Sequence, residues 1–459
     1  MTTNNPLKSV FTVERSELPF ALLMFGYFFL VITSFWILKP IKKSLFIEHY
    51  DQSGFDLLGW QMLASQAELL AKVLNMVVAF VAVVVFSWLA NRYRRQQLTF
   101  IFTGFFLASY VAYTLVVKNP GHLTVWSFYL FGDLFSTLMV ATFFAFLNDS
   151  VTPDAAKRLY GLVGLGGVTG GAVGSLVVAR FIGSVDLLGW LWIAFGVGLA
   201  ILLVAFAAGR LAARAASDLP PPAAANPGPE GGGSPALEGA RLVFRSRYLL
   251  AIVAIVGIYE IVSTILDFQF TSTIAHYLEG PAIGAQFATV FAITNVVALA
   301  VQLVFTSLVM TRFGVGVALL VLPLAILGGS AGFMILPMLW FGSLLNTADN
   351  GFSYSINQSA KESLYVPTTK DEKYKAKAFI DMFVQRFAKA LAVGVSLAVT
   401  AIFQDFESVR WLTAVTLPLI LVWIFAARYA GRRFAEMTRP AGGSDGLAGR
   451  RSPEGAAAV

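Results

Sequence analysis

Three lysines fall within five positions, Lys39, Lys42 and Lys43, directly after a 20-residue stretch, Pro19 to Leu38, that is almost purely apolar. Holding an ammonium at membrane depth costs on the order of 3 kcal/mol, so a cation there normally faces a wet interior and has a task. Clustered around Pro40, which reads as a helix break, these lysines mark a place where an anion is held. The competing reading is that they snorkel to the membrane surface as an anchor. Charges recur in the other apolar stretches: Glu68 and Lys72, four apart and so on one helix face, then Asp133, Glu260, Asp267, Asp349, Lys361, Asp381, Arg386 and Lys389. Each must line a cavity or pair across helices. Lysine and arginine outnumber acids in the first, second and eleventh stretches taken together, which suits a negative ligand; a phosphate chain could collect several such contacts. The candidate ligand-binding residues are therefore Lys39, Lys42, Lys43, Lys72, Asp133, Lys361, Arg386 and Lys389, with Glu68, Glu260, Asp267 and Asp349 as candidates for coupling or gating. Phe35, Trp36, Tyr50, Phe128 and Tyr129 could stack an aromatic ligand, although core packing suits most of them.

The elements that position these charges follow from composition and run length. The chain is 57% hydrophobic and 13% charged, with a mean hydropathy of +0.73, whereas a soluble domain averages about a quarter charged. Roughly twelve apolar runs are long enough to cross a bilayer, which predicts an all-α integral membrane protein. Six fall within residues 1–208 and six within 248–429. A Pro/Gly-rich linker at 209–247 separates them, and a tail at 430–459 follows. Basic residues concentrate in alternate connections (Arg92, Arg94, Arg95; Lys157, Arg158; Arg312; Lys375, Lys377; Arg428, Arg432, Arg433), which places that face and both termini in the cytoplasm of an inner or cell membrane. The two halves echo each other, as in Ser87–Arg95 and Ser307–Gly314, and repeated halves are how alternating-access carriers are built. In the fifth run, Gly167/Gly171 and Gly170/Gly174 are spaced for close helix packing rather than for cradling phosphate.

Other classes fit poorly. Cysteine is absent, and His49, His122 and His276 are scattered near segment ends, so no disulfide, metal site or cofactor is expected. The long hydrophilic segments are low-complexity and carry no catalytic cluster, which argues against an enzyme. The net charge of +7 reflects basic loops rather than nucleic-acid binding.

Four stretches carry a family resemblance. They are Ile37-Leu-Lys39-Pro-Ile-Lys42-Lys43; Phe128-Tyr129-Leu-Phe-Gly-Asp133-Leu-Phe-Ser136; Ala155-Ala-Lys157-Arg158-Leu-Tyr160; and Tyr354-Ser355 through Lys361-Glu362-Ser-Leu-Tyr365-Val-Pro367 to Lys375-Ala-Lys377-Ala-Phe-Ile380-Asp381 and Lys389. Together they resemble the bacterial and plastid-type nucleotide transporters, twelve-span ATP/ADP antiporters related to the major facilitator superfamily. The resemblance implies a nucleotide substrate exchanged between two six-helix bundles, with Lys42, Asp133 and Lys389 as the foremost substrate-contacting charges; the protein itself is expected to be a monomer. The chain departs from the resembled pattern at Lys43 and Ser263, where that pattern has acids, and at Ala388 and Ala390 flanking Lys389. These departures leave the substrate open among ATP/ADP, another nucleotide and a different phosphorylated anion. The rival within transport is proton-coupled movement of another organic or phosphorylated anion, using Asp133, Glu260 or Asp267. The rivals outside it are a polytopic enzyme and a non-transporting scaffold.

Overall fold

The computed structural model describes residues 14–438, apart from 16, 52, 152, 218–234, 370–371 and 403–405. Of the tail expected at 430–459, residues 439–459 lie outside the described residues, as does the middle of the linker, whereas 430–438 continue the last helix. Helix α1, Leu18–Tyr50, starts with proline in its first turn and carries Pro40 inside it. Here the structure corrects the expectation of a break. A proline removes one N–H, but a helix packed on several sides tolerates the lost hydrogen bond, and α1 packs against the fourth, fifth, sixth and ninth helices. Lys39, Lys42 and Lys43 consequently sit on continuous helix, two to three turns before its end.

A hairpin of β1 (Phe55–Leu57) and β2 (Trp60–Met62) follows. Next come α2 (Ala64–Ala90), α3 (Arg95–Val116), α4 (His122–Ser150), α5 (Pro153–Phe181) and α6 (Leu187–Ser217). Within the stretch expected to be linker, α6 continues to Ser217 and a short amphipathic helix, α7, forms at Pro235–Arg245. It packs beneath the eleventh membrane helix, with Glu238 2.7 Å from Lys375. The second half comprises α8 (Arg247–Tyr277), α9 (Pro281–Arg312) and α10 (Gly314–Ile335), then α11 (339–363), α12 (372–402) and α13 (Trp411–Thr438). Among the described residues, eleven helices are long and apolar enough to cross a membrane. Apart from the short α7, this leaves α11, which is α-helical at Leu339–Phe352 and Gln358–Ser363 with a π-helical turn at Ser353–Asn357 between them. This is an all-α, multi-pass membrane fold.

Each half has its own apolar core. One gathers Tyr27, Phe106, Phe135 and Phe143, the other Leu249, Leu322, Ile356 and Trp423. The α5 glycine stripe lies on α1, as the spacing predicts: a Cβ at Gly170 or Gly174 would fall on the backbone of Phe29 or Thr33. A third cluster crosses between the halves at the hairpin end of the bundle. It joins Phe46, Ile47 and Tyr50 of the first half to Phe270, Ile274, Phe287 and Phe291 of the second.

Candidate functional site

Below that aromatic seal, between the halves, lies a cavity of about 670 Å³, within the range of small-molecule sites. Six helices supply its polar wall. From α1 come Lys39, Lys42 and Lys43, which share a face because three- and four-residue steps return to one side of a helix. From α2 comes Lys72, from α4 Tyr129 and Asp133, and from α8 Tyr259, Glu260, Ser263, Thr264 and Asp267. From α11 and α12 come Tyr354, Lys361, Asp381, Arg386 and Lys389. All eight candidate binding residues are brought together, and Glu260 and Asp267 join them. Glu68 and Asp349 do not reach the wall. Glu68 lies fully buried behind it, and Asp349 is buried beside Ser263, which donates to it at 2.6 Å.

Lys42 and Lys43 are 4% and 3% exposed, so they do not snorkel to a surface. Lys42 pairs with Asp133 and lies 4.2 Å from the centre of the Tyr129 ring. Gly132 makes room for it, since a Cβ there would be 2.7 Å from the Lys42 Cδ. Lys43 donates to both oxygens of Asp267, at 3.0 and 3.2 Å, and to Thr271 at 3.0 Å. It also lies 3.3 Å from Glu68. Lys72 pairs with Asp267 and, 3.2 Å away, with Glu68 one turn earlier on α2. Glu68 accepts from the Tyr129 hydroxyl at 2.8 Å. Lys389 is 3.1 Å from Glu260. Lys43 and Asp267 thus hold opposite halves together, at a place where the resembled pattern carries an acid after the lysine and an acid at Ser263.

Seven cations and four carboxylates line the cavity. Lys39, Lys361 and Arg386 make no ion pair among the described residues. Lys39 instead rests over the rings of Trp36 at 4.5 Å and Phe291 at 4.8 Å. An unpaired surplus of positive charge in a chamber walled by helices attracts a polyanion strongly. Of the five aromatics considered for stacking, Tyr129 alone lines the cavity; Phe128 and Tyr50 belong to the buried clusters.

Several lining residues were not singled out from sequence. Asn75, Thr264, Asn350, Ser353, Gln358 and Gln385 stand three or four positions from a charge, or from one another, along α2, α8, α11 and α12. A polar stripe at helical period through an otherwise apolar run was the available signal. Among the described residues no group of three or more His, Asp or Glu could hold a metal ion.

Comparison with known proteins agrees with this architecture. The Major Facilitator Superfamily profile matches residues 23–366, and that of the TLC ATP/ADP transporter matches residues 334–434. The chloroplastic ADP,ATP carrier protein 1 of Arabidopsis thaliana is 23% identical over 67% of this chain and 54% of its own length. The chain therefore spans about half the length of the plastid relatives it matches. ADP,ATP carrier protein 1 of Chlamydia muridarum is 22% identical, covering 92% of this chain and 90% of that one. Among solved structures, a bacterial homologue of the human lysosomal transporter Spinster, inward-facing and unoccupied, superposes with a TM-score of 0.56 at 13% identity, over 92% of this chain and 98% of that one. A POT family transporter in complex with a thioalcohol-conjugated peptide gives 0.59 at 11% identity, over 94% and 100%. These likenesses are of fold.

Proposed function

The chain belongs to the Major Facilitator Superfamily, and from that premise we propose that it carries nucleotides across a membrane in ATP/ADP-type exchange. One observation carries the reading: Lys39, Lys361 and Arg386 face the central cavity with no carboxylate partner among the described residues, beside four lysines that are paired. Phosphate oxygens accept such charge-assisted hydrogen bonds readily. The TLC ATP/ADP transporter match and the ADP,ATP carrier relatives supply the substrate class. Lys42, Lys43, Lys72 and Lys389 contribute to the same field, Asp133 orients Lys42, and Asp267 and Glu260 act as gating acids. No bond is made or broken, so no residue is catalytic.

Exchange follows from electrostatics. Reorienting an empty chamber with surplus buried cations is unfavourable, and a bound anion removes that penalty on each swing. Proton coupling through Asp133, Glu260 or Asp267 is disfavoured because each of these acids already faces a lysine. The protein acts as a monomer in an inner or cell membrane with both termini cytoplasmic, in keeping with its basic connections. Proteoliposomes loaded with ADP take up labelled ATP far faster than empty ones, and Lys42→Ala and Lys389→Ala reduce nucleotide-dependent thermal stabilisation. Equal uptake by loaded and empty vesicles refutes exchange, and uptake driven by a pH gradient without internal nucleotide supports the proton-coupled alternative.

A further inference from the structure

A second cavity, of about 630 Å³, lies on the outer flank of the C-terminal half, where the start of α10 meets the last turns of α13. It shares no residue with the central chamber. The cleft exists because Gly316 and Gly431 bring the two helix backbones into contact: a Cβ at Gly431 would be 2.6 Å from the Gly316 Cα. The backbones touch at that point, and the larger side chains on either side form walls. One wall is apolar, with Phe313 just before α10 and Val317 and Leu320 within it; Phe313 and Val317 are 58% and 44% exposed. The other carries Arg428 and Arg432, one helical turn apart.

Neither arginine makes an ion pair among the described residues, while the adjacent Arg433 turns away and is held by Glu436 at 2.6 Å. From Gly314 to Leu320 the cleft runs about 9 Å along the helix axis. That is enough to pass from a headgroup layer into the outermost part of the acyl region. A soluble phosphate would satisfy the arginines and leave the apolar wall uncovered. A neutral lipid would cover the wall and leave two cations unneutralised.

We propose that this cleft binds an anionic phospholipid, its phosphate between Arg428 and Arg432 and an acyl chain along Val317 and Leu320. Basic pockets between membrane helices recognise anionic headgroups in this way, and each arginine near such a headgroup strengthens attachment about fivefold.

The test is native mass spectrometry of the detergent-purified full chain after incubation with dioleoylphosphatidylglycerol, dioleoylphosphatidylcholine or inorganic phosphate. Phosphatidylglycerol is expected to be retained in preference to phosphatidylcholine. Arg428→Ala/Arg432→Ala should cut retention by roughly twenty-five-fold, and Val317→Trp, which fills the cleft and leaves both charges, should abolish it. Arg92→Ala/Arg94→Ala removes the same charge elsewhere and should leave retention unchanged. The proposal is overturned if phosphatidylcholine is retained equally, if the Arg92/Arg94 variant loses as much, or if Val317→Trp retains the lipid. Displacement by millimolar inorganic phosphate alone overturns it in favour of a soluble-anion site.

Discussion

Among the described residues, Asp267 is the single carboxylate through which both Lys43 and Lys72 of the first half are tied to the second. Opening the hairpin end requires those ties to break along with the aromatic seal above them. Asp267→Asn removes the charge and keeps the shape. Lys43 and Lys72 are then left to share Glu68, at 3.3 and 3.2 Å, in a wall where the Lys43 side chain is 4% exposed. Breaking a buried pair by deleting one partner costs about 3 kcal/mol or more. That cost falls on the sealed state, because water solvates both lysines once the end opens. The equilibrium therefore shifts toward the open form on the order of a hundredfold.

The chain contains no cysteine, so one introduced thiol reports without background. Ala275→Cys places it beside the seal, where Ala275 is partly buried. In proteoliposomes, labelling by a membrane-impermeant maleimide should accelerate by that order in the Asp267→Asn background. Asp133→Asn is the control, since Asp133 and Lys42 lie in the same half. If labelling is unchanged in Asp267→Asn, or rises equally in Asp133→Asn, the cross-half tie is not what holds the seal.

Other outcomes follow from the same geometry. Replacing Lys39, Lys361 or Arg386 singly by methionine breaks no ion pair among the described residues, so the fold should persist. Nucleotide affinity measured by calorimetry should fall about tenfold or more for each, as expected for a charge-assisted hydrogen bond. Gly132→Ala should lower exchange sharply by pushing Lys42 off Asp133, whereas Gly104→Ala, with open space around it, should be neutral in the same uptake assay. At the hairpin end, burial and then the neighbouring Glu279 raise the Asp51 carboxyl above its ordinary range; Glu48 is the other acid at this seam. A carboxyl raised in the sealed state holds its proton longer there, so the seal weakens as pH rises from the ordinary carboxylate range through the raised value. Ala275→Cys labelling, taken relative to a free thiol at the same pH, should increase across that window, and Asp51→Asn should flatten the profile.

Much of the site was legible because a charge in an apolar run is conspicuous. Every candidate binding lysine and arginine reached the cavity on that signal alone. What could not be read was the pairing. Lys43 and Asp267 are 224 positions apart, and nothing in one sequence says which acid meets which lysine. Lys72 and Glu68, one turn apart, were readable for that reason. Pro40 misled because local propensity ends a helix there, whereas packing on several sides of α1 decides that it continues. The helix at Pro235–Arg245 was hidden by the Pro/Gly-rich sequence before it; what orders it is contact with α12. The span count depended on run length, and the π-turn of α11 divides a run that reads as continuous.

The ion pairs fall into two kinds, and the division bears on how exchange would be enforced. Lys42–Asp133 and Lys72–Glu68 lie within the first half, and Lys389–Glu260 lies within the second. A rocking motion that moves each half as a body leaves all three intact. Lys43–Asp267 and Lys72–Asp267 cross the interface, so the electrostatic part of the barrier is concentrated on one carboxylate. A polyanion in the chamber can take over from Asp267 as the counter-charge of Lys43 and Lys72, supplying in the open state what the sealed state supplies from its own side chain. An empty chamber offers only water in place of that carboxylate. On this reasoning Asp267→Asn should do more than loosen the seal: by removing the need for a replacement anion, it should raise uptake into empty vesicles relative to ADP-loaded ones. A loaded-to-empty ratio identical to that of the unaltered chain would show that the exchange requirement resides elsewhere.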